Sequence, residues 1–171
     1  LEQKNSRKKK IDTSILDSEL LLSKILKKRR EEILSNLEQN ICHKQMSKYK
    51  ELIKRRSLNE PMAYILEEKE FWSNAFFVGQ GTLIPRPETE LIVEKLVEIF
   101  KNKKLSILDI GTGSGCIIIS LLSELNGAKG VGIDISKKAI LIAKKNAEKL
   151  KILDRLELLN KSLDNNFNKK F

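Results

Sequence analysis

Three glycines and two carboxylates have the residue types and spacing to do chemistry here: Asp109, Gly111, Gly113, Gly115 and Asp134. The apolar run Leu105 to Ile110 reads as a buried strand, and Gly111-Thr112-Gly113-Ser114-Gly115 follows it as a tight turn. Glycine lets backbone approach a ligand closely there. Cys116 to Leu122 reads as a helix whose N-terminal amides point at that ligand. A second strand, about Lys129 to Ile133, ends on Asp134, twenty-three residues after Gly111. That is about where a nucleotide-binding βαβ unit places its ribose-binding carboxylate.

Spacing then discriminates between ligands. A dinucleotide fingerprint, G-x-G-x-x-G, needs glycine at position 116, where this chain has Cys116; the third glycine is Gly115. Asp109, two residues before the first glycine, would repel a pyrophosphate. S-adenosylmethionine has no phosphate, and its methionine end carries an ammonium beside a sulfonium, so the same carboxylate attracts it. The candidate cofactor residues are therefore Gly111, Thr112, Gly113, Ser114, Gly115 and Asp134, with S-adenosylmethionine as the cofactor. The bland alternative is a strand–helix turn with no ligand. No residue is assigned a catalytic or metal-binding role.

Composition narrows the class. The 171 residues allow one ordinary domain, or a small domain plus part of a larger one. No run of 18 apolar residues exists, so no transmembrane helix is expected. Cys42 and Cys116 have no C-x-x-C partner and His43 is the single histidine, which leaves no pattern for a zinc site, a Cys–His pair or a disulfide framework. A reduced, cytoplasmic setting fits. The net charge of +10 is uneven: residues 1–60 hold 16 Lys/Arg against 9 Asp/Glu, and residues 61–171 hold 17 against 14. Such a basic front third suits RNA or a ribosome-associated partner, or simply a solvated lysine face. No aromatic-interleaved basic stripe favours direct nucleic-acid binding.

The positioning elements read as follows. Residues 1–10 are polar and frayed. Ser14 caps a helix with Ile15, Leu16, Leu20, Leu22, Ile25 and Leu26 inward. Shorter helices, Arg30 to Leu37 and Lys44 to Arg56, complete a small bundle, the last burying Met46, Tyr49, Leu52 and Ile53. Glu60-Pro61 marks a boundary. A β-hairpin is expected between Glu70 and Leu83, turning at Gly79-Gln80-Gly81. Pro87 opens a helix complemented by Glu88 and Glu90, with Ile92, Leu96, Ile99 and Phe100 buried. Ser136 caps a helix to about Leu150, with Ala139, Ile140, Ala143, Ala147 and Leu150 inward. A third strand, about Leu156 to Leu159, makes the βαβαβ half of a doubly wound fold.

These residues resemble the N-terminal part of the bacterial release-factor glutamine methyltransferase (HemK/PrmC) family. The matching segments are Leu16 to Leu22, Glu60-Pro61-Met62-Ala63-Tyr64-Ile65-Leu66, Glu70-Phe71-Trp72, Leu83 to Glu90, and Leu108 to Gly115. Very many methyltransferases share the glycine motif; Ile84-Pro85-Arg86-Pro87-Glu88-Thr89-Glu90 is far more specific. A sister family acting on a ribosomal protein usually has serine at the place of Pro87. The resemblance implies an α/β protein with three parts. They are a helical substrate-recognition domain (1–70), a hairpin linker (71–84) and the first half of a Rossmann-like S-adenosylmethionine methyltransferase domain (85–171). It also implies methyl transfer to the glutamine amide nitrogen in the Gly-Gly-Gln motif of a peptide-chain release factor. Gly111 to Gly115 correspond to the cofactor loop and Asp134 to the ribose carboxylate.

Three departures qualify that likeness. Glu67 stands where the family usually has glycine, which points to a strained or rebuilt turn. Lys161-Ser162-Leu163 offers no aromatic for adenine, so Leu163 is not named as a site. The family's Asn-Pro-Pro-Tyr signature, which accepts the hydrogens of the target amide, does not occur in the sequence. The ending Asn165 to Phe171 reads as the approach to a fourth strand, and the start at Leu1 also suggests a fragment. The expectation is a chain inactive by itself that binds S-adenosylmethionine weakly or not at all, with Leu105–Ile110 an exposed apolar edge. The alternatives are a related nucleic-acid methyltransferase and a non-catalytic module that docks on a release factor or RNA.

Overall fold

The structure, a computed structural model, describes residues 12–162; the expectations for residues 1–10, Leu163 and the 165–171 segment lie outside them. The chain divides into two compact units between Leu66 and Glu67.

The first unit is helical. Helix α1 (Ser14–Leu26) packs on α2 (Arg30–Leu34), α3 (His43–Ser57) and α4 (Met62–Leu66). Helix α1 begins one residue earlier than expected, so Thr13 takes the cap position in place of Ser14, and its hydroxyl donates to Asp17 at 3.0 Å. Its buried line also shifts. Leu21 and Asp17 are the buried residues, Ile25 packs beside them, and Ile15 and Leu16 face solvent. The i, i+4 line through an acidic residue won because Asp17 has a partner across the bundle, Arg56 at 2.6 Å. Helix α2 stops at Leu34, and Leu37 is exposed beyond it. The short helix α4 was not anticipated, although Pro61 at its entrance is a usual helix-start signal. Its Ile65 completes a core with Leu21 and Leu52.

The second unit opens on a hairpin, β1 (Glu68–Phe71) with β2 (Asn74–Phe77), paired antiparallel from Glu68↔Phe77 to Phe71↔Asn74. Its turn is Trp72-Ser73, both at positive φ (50° and 55°), not the glycine pair at 79–81. Two consecutive positive φ values match the right-handed twist of a tight hairpin, and the register forces them even without glycine. Thr82, Leu83 and Ile84 form no strand. Phe71 and Phe76 meet edge-on at 6.1 Å and belong to the core of this unit, so the hairpin is packed into it. Glu67 sits at φ 61°, the left-handed backbone that the departure from glycine suggested.

A 3₁₀ turn, Pro87–Thr89, leads into α5 (Glu90–Phe100), with proline in its first turn as expected. The buried stripe of α5 is Val93, Leu96, Val97 and Phe100, while Ile92 and Ile99 lie at the surface. The alternatives differ by one step of helical phase, and tertiary packing selected between them. Strands β3 (Ser106–Ile110), β4 (Lys129–Asp134) and β5 (Leu156–Asn160) form a parallel sheet in that order, linked by α6 (Cys116–Glu124) and α7 (Lys137–Lys149). This is a Rossmann-like α/β arrangement. Ile118 and Leu122 of α6 pack so closely on Gly130 that a Cβ there would lie 2.8 Å from Ile118. Arg155 donates to the carbonyls of Leu122, Leu125 and Ala128, closing the C-terminal end of α6.

Candidate functional site

The C-terminal ends of β3 and β4 meet at the glycine turn, the position where open α/β sheets hold their ligands. Gly111, Gly113 and Gly115 all have positive φ, at 73°, 57° and 78°. The amides of Gly111 and Thr112 both donate to the Ile133 carbonyl, at 2.8 and 3.0 Å, and Gly115 donates to Thr112 at 2.8 Å. The Gly113 amide donates to Asp134 Oδ2 at 2.9 Å. Four turn amides thus donate inside the protein. Room beside the turn is kept instead by the missing side chains. A Cβ on Gly111 would meet nothing within 4 Å, and one on Gly113 only the Gly111 carbonyl at 3.9 Å.

The two carboxylates flank this opening. Thr112, buried, donates through Oγ1 to Asp109 Oδ2 at 2.8 Å. Burial pushes the Asp109 carboxyl above its ordinary range, the Thr112 hydrogen bond opposes that, and the Asp134 charge adds to it. Asp134 accepts from Gly113 on one oxygen and from the Ser136 amide on the other, at 2.9 and 2.8 Å. Each oxygen keeps a second lone pair for a hydroxyl donor. Ser136 caps α7, accepting from the Ala139 amide at 3.2 Å, as its sequence position suggested. Gly81 lies against Lys138 and near Ser136 Oγ, which places the 79–82 segment beside the Asp134 end of the site.

The structure therefore brings Gly111 to Gly115, Asp109 and Asp134 into one cluster. Burial also raises the Cys116 thiol, immediately after the turn, which disfavours the thiolate form. Among the described residues no group of three His, Cys, Asp or Glu side chains can hold a metal, and no helix is long and apolar enough to cross a membrane. Glu90, which the sequence marks only as a helix-start residue, also accepts the Trp72 amide at 3.1 Å, so the last residue of the Pro85–Glu90 segment holds the hairpin turn. Asn146 is buried on the alanine-lined face of α7, in phase with Ala139 and Ala143. A polar residue in that phase is the signal that would have found it.

Comparison with known proteins places these features. Residues 4–66 match the family model described as the PrmC N-terminal domain, and residues 101–167 match a methyltransferase domain. A release factor glutamine methyltransferase of Buchnera aphidicola subsp. Acyrthosiphon pisum is 46% identical over 140 residues, covering 82% of this chain and 50% of that protein. One from Leptospira interrogans is 42% identical over 143 residues, with 82% and 50% covered. The chain spans about half the length of these curated relatives. Among solved structures, an RNA methyltransferase from Salinibacter ruber in complex with S-adenosyl-L-homocysteine is 30% identical at a TM-score of 0.41, covering 47% of this chain and 51% of that one. A Pyrococcus abyssi tRNA (uracil-54, C5)-methyltransferase is 22% identical at a TM-score of 0.45, covering 56% and 23%.

Proposed function

We propose that this chain, a homologue of the release factor glutamine methyltransferases that carries their N-terminal part, supplies the S-adenosylmethionine-binding half of a methyl transfer to glutamine. The target is the side-chain amide of a peptide-chain release factor, in its Gly-Gly-Gln motif. The observation that carries the reading is the open glycine turn held between two carboxylates, Asp109 and Asp134. In it, Gly111, Thr112, Gly113, Ser114 and Gly115 form the floor of the cofactor site. Asp109 faces the ammonium, and a cation there would draw its raised pKa back down. Asp134 accepts the ribose hydroxyls on the lone pairs that Gly113 and Ser136 leave unused.

Bound S-adenosylmethionine supplies an electrophilic methyl group on a sulfonium. The chain's own contribution is orientation. An amide nitrogen is a weak nucleophile, so its hydrogens must be accepted and its lone pair aimed, and the sequence contains no Asn-Pro-Pro-Tyr to do so. The same reading divides the chain into a helical substrate-recognition part that ends at Leu66 and a cofactor part that includes the hairpin Glu68–Phe77, in a cytoplasmic setting. Three arginines of the helical unit, Arg30, Arg55 and Arg56, pair with Glu19, Glu60 and Asp17 at 2.6 Å each, so these three serve ion pairs within the unit.

The test has two arms. Titrating residues 1–171 with S-adenosylmethionine should shift the amide resonances of Gly111, Gly113 and Gly115, with no methyl transferred to an added release factor. Joined to the C-terminal half of the Buchnera relative, the chain should methylate the release-factor glutamine in preference to RNA or DNA. Turn resonances of the joined protein that stay still under excess cofactor, or a joined protein that prefers nucleic acid, would overturn the reading.

A further inference from the structure

Asn146 is, among the described residues, a buried polar side chain that reaches both the hairpin and the glycine turn. It is 1% exposed. Its Oδ1 accepts the Phe77 amide at 2.7 Å, and its Nδ2 donates to the carbonyls of Phe77 at 3.0 Å and Ser114 at 2.8 Å. Both amide hydrogens are therefore in use. One turn earlier on α7, Ala143 lies 3.2 Å from where a Cβ on Gly115 would stand, so helix and turn are in close contact at two successive positions. Ser114 is itself buried.

From these contacts we infer that Asn146 is a positioning residue for the cofactor turn. It fixes Ser114 against α7 and ties that position to β2, so the Gly111–Gly115 floor is formed before any ligand arrives. A preformed floor avoids the ordering cost that a loose glycine turn would carry on binding. An apolar side chain would leave three backbone groups without their partner together, the buried Ser114 carbonyl and the part-buried Phe77 amide and carbonyl. The lock rests on the contacts alone; its consequence for cofactor rests on the function proposed above.

Amide hydrogen exchange on residues 1–171 separates these statements. In Asn146→Ala, the Gly113 and Gly115 amides should exchange about tenfold faster than in the parent, relative to the Gly130 amide, which bonds to Arg155 in the sheet. Leu125→Ala, in the core at the far end of α6, should move all three amides by a common factor. Should Asn146→Ala fail to fold, Asn146→Ser keeps a polar group but places its hydroxyl too near the helix to span both partners. Equal acceleration of turn and sheet amides in the Asn146 variants would overturn the inference. S-adenosylhomocysteine titrated into the same variants joined to the C-terminal half of the Buchnera relative should bind about tenfold more weakly to the Asn146 variant. An unchanged affinity would overturn the positioning role. A joined parent with no response, but with the selective exchange pattern of residues 1–171 intact, would overturn the cofactor reading and leave the lock standing.

Discussion

Asp109 has to satisfy two conflicting demands. Its position at the end of β3 buries it, which favours the neutral acid, while attraction of a cationic ligand needs the carboxylate. The folded-state pKa lies above the ordinary 3.8, so the native protein holds this proton more tightly than the unfolded chain does. Its contribution to stability is then fully present below the unfolded pKa and is lost as pH rises through the folded value. Asp109→Asn keeps an oxygen for Thr112 and cannot ionise. The variant should unfold at a higher temperature than the parent at neutral pH and lose the advantage in acid, as thermal melts across pH would record. A parent and variant that run parallel at all pH values would contradict this account. The same substitution should weaken S-adenosylmethionine binding, so stability and function oppose each other at this residue.

Among the elements, several familiar sequence signals have a structural purpose. The Pro85–Glu90 segment starts α5, and its Glu90 also satisfies the Trp72 amide at a turn built without glycine. In the helical unit, α1 and α3 are joined by Asp17 and Arg56, with the Asp17 side chain 8% exposed. Removing one partner of so enclosed a pair leaves the other charge with too little compensation. Arg56→Ala should destabilise this unit by about 3 kcal/mol. Adding Asp17→Asn should recover part of the loss, because no carboxylate is then left behind. Urea unfolding followed by helical circular dichroism measures both. Had Ile15 and Leu16 formed the buried face, as hydrophobicity alone suggested, Arg56→Ala would be nearly silent.

At the scale of the whole molecule, the parallel sheet ends, among the described residues, on β3 at one edge and β5 at the other. Among the described residues β3 pairs with β4 only, and Ile110 at its end is 56% exposed. An unpaired parallel strand offers a row of backbone donors and acceptors to any other chain. The net charge of +10 resists self-association at low salt, and screening removes that protection. Light scattering should therefore show association that grows with ionic strength. Ile110→Lys, which places a charge on the edge, should raise the onset concentration severalfold. Association that weakens with salt would mean that charged surfaces, and not the edge, hold the copies together.

Much of this was legible without coordinates because it depends on local rules. The spacing of Asp109, Gly111, Gly113, Gly115 and Asp134 reports a strand, a tight turn and a second strand, each set by neighbours in sequence. Pro87 and Ser136 mark helix starts for the same reason. The phase of α1 and α5, the hairpin turn at Trp72-Ser73 and the role of Asn146 were decided elsewhere. Each depends on a partner far along the chain: Arg56 for Asp17, Glu90 for Trp72, Ser114 for Asn146. The sequence by itself determined that a glycine turn lies between two carboxylates. Tertiary structure alone decided that four of its amides donate internally and that Asn146 holds Ser114, because buried polar groups take the partners that packing brings within reach.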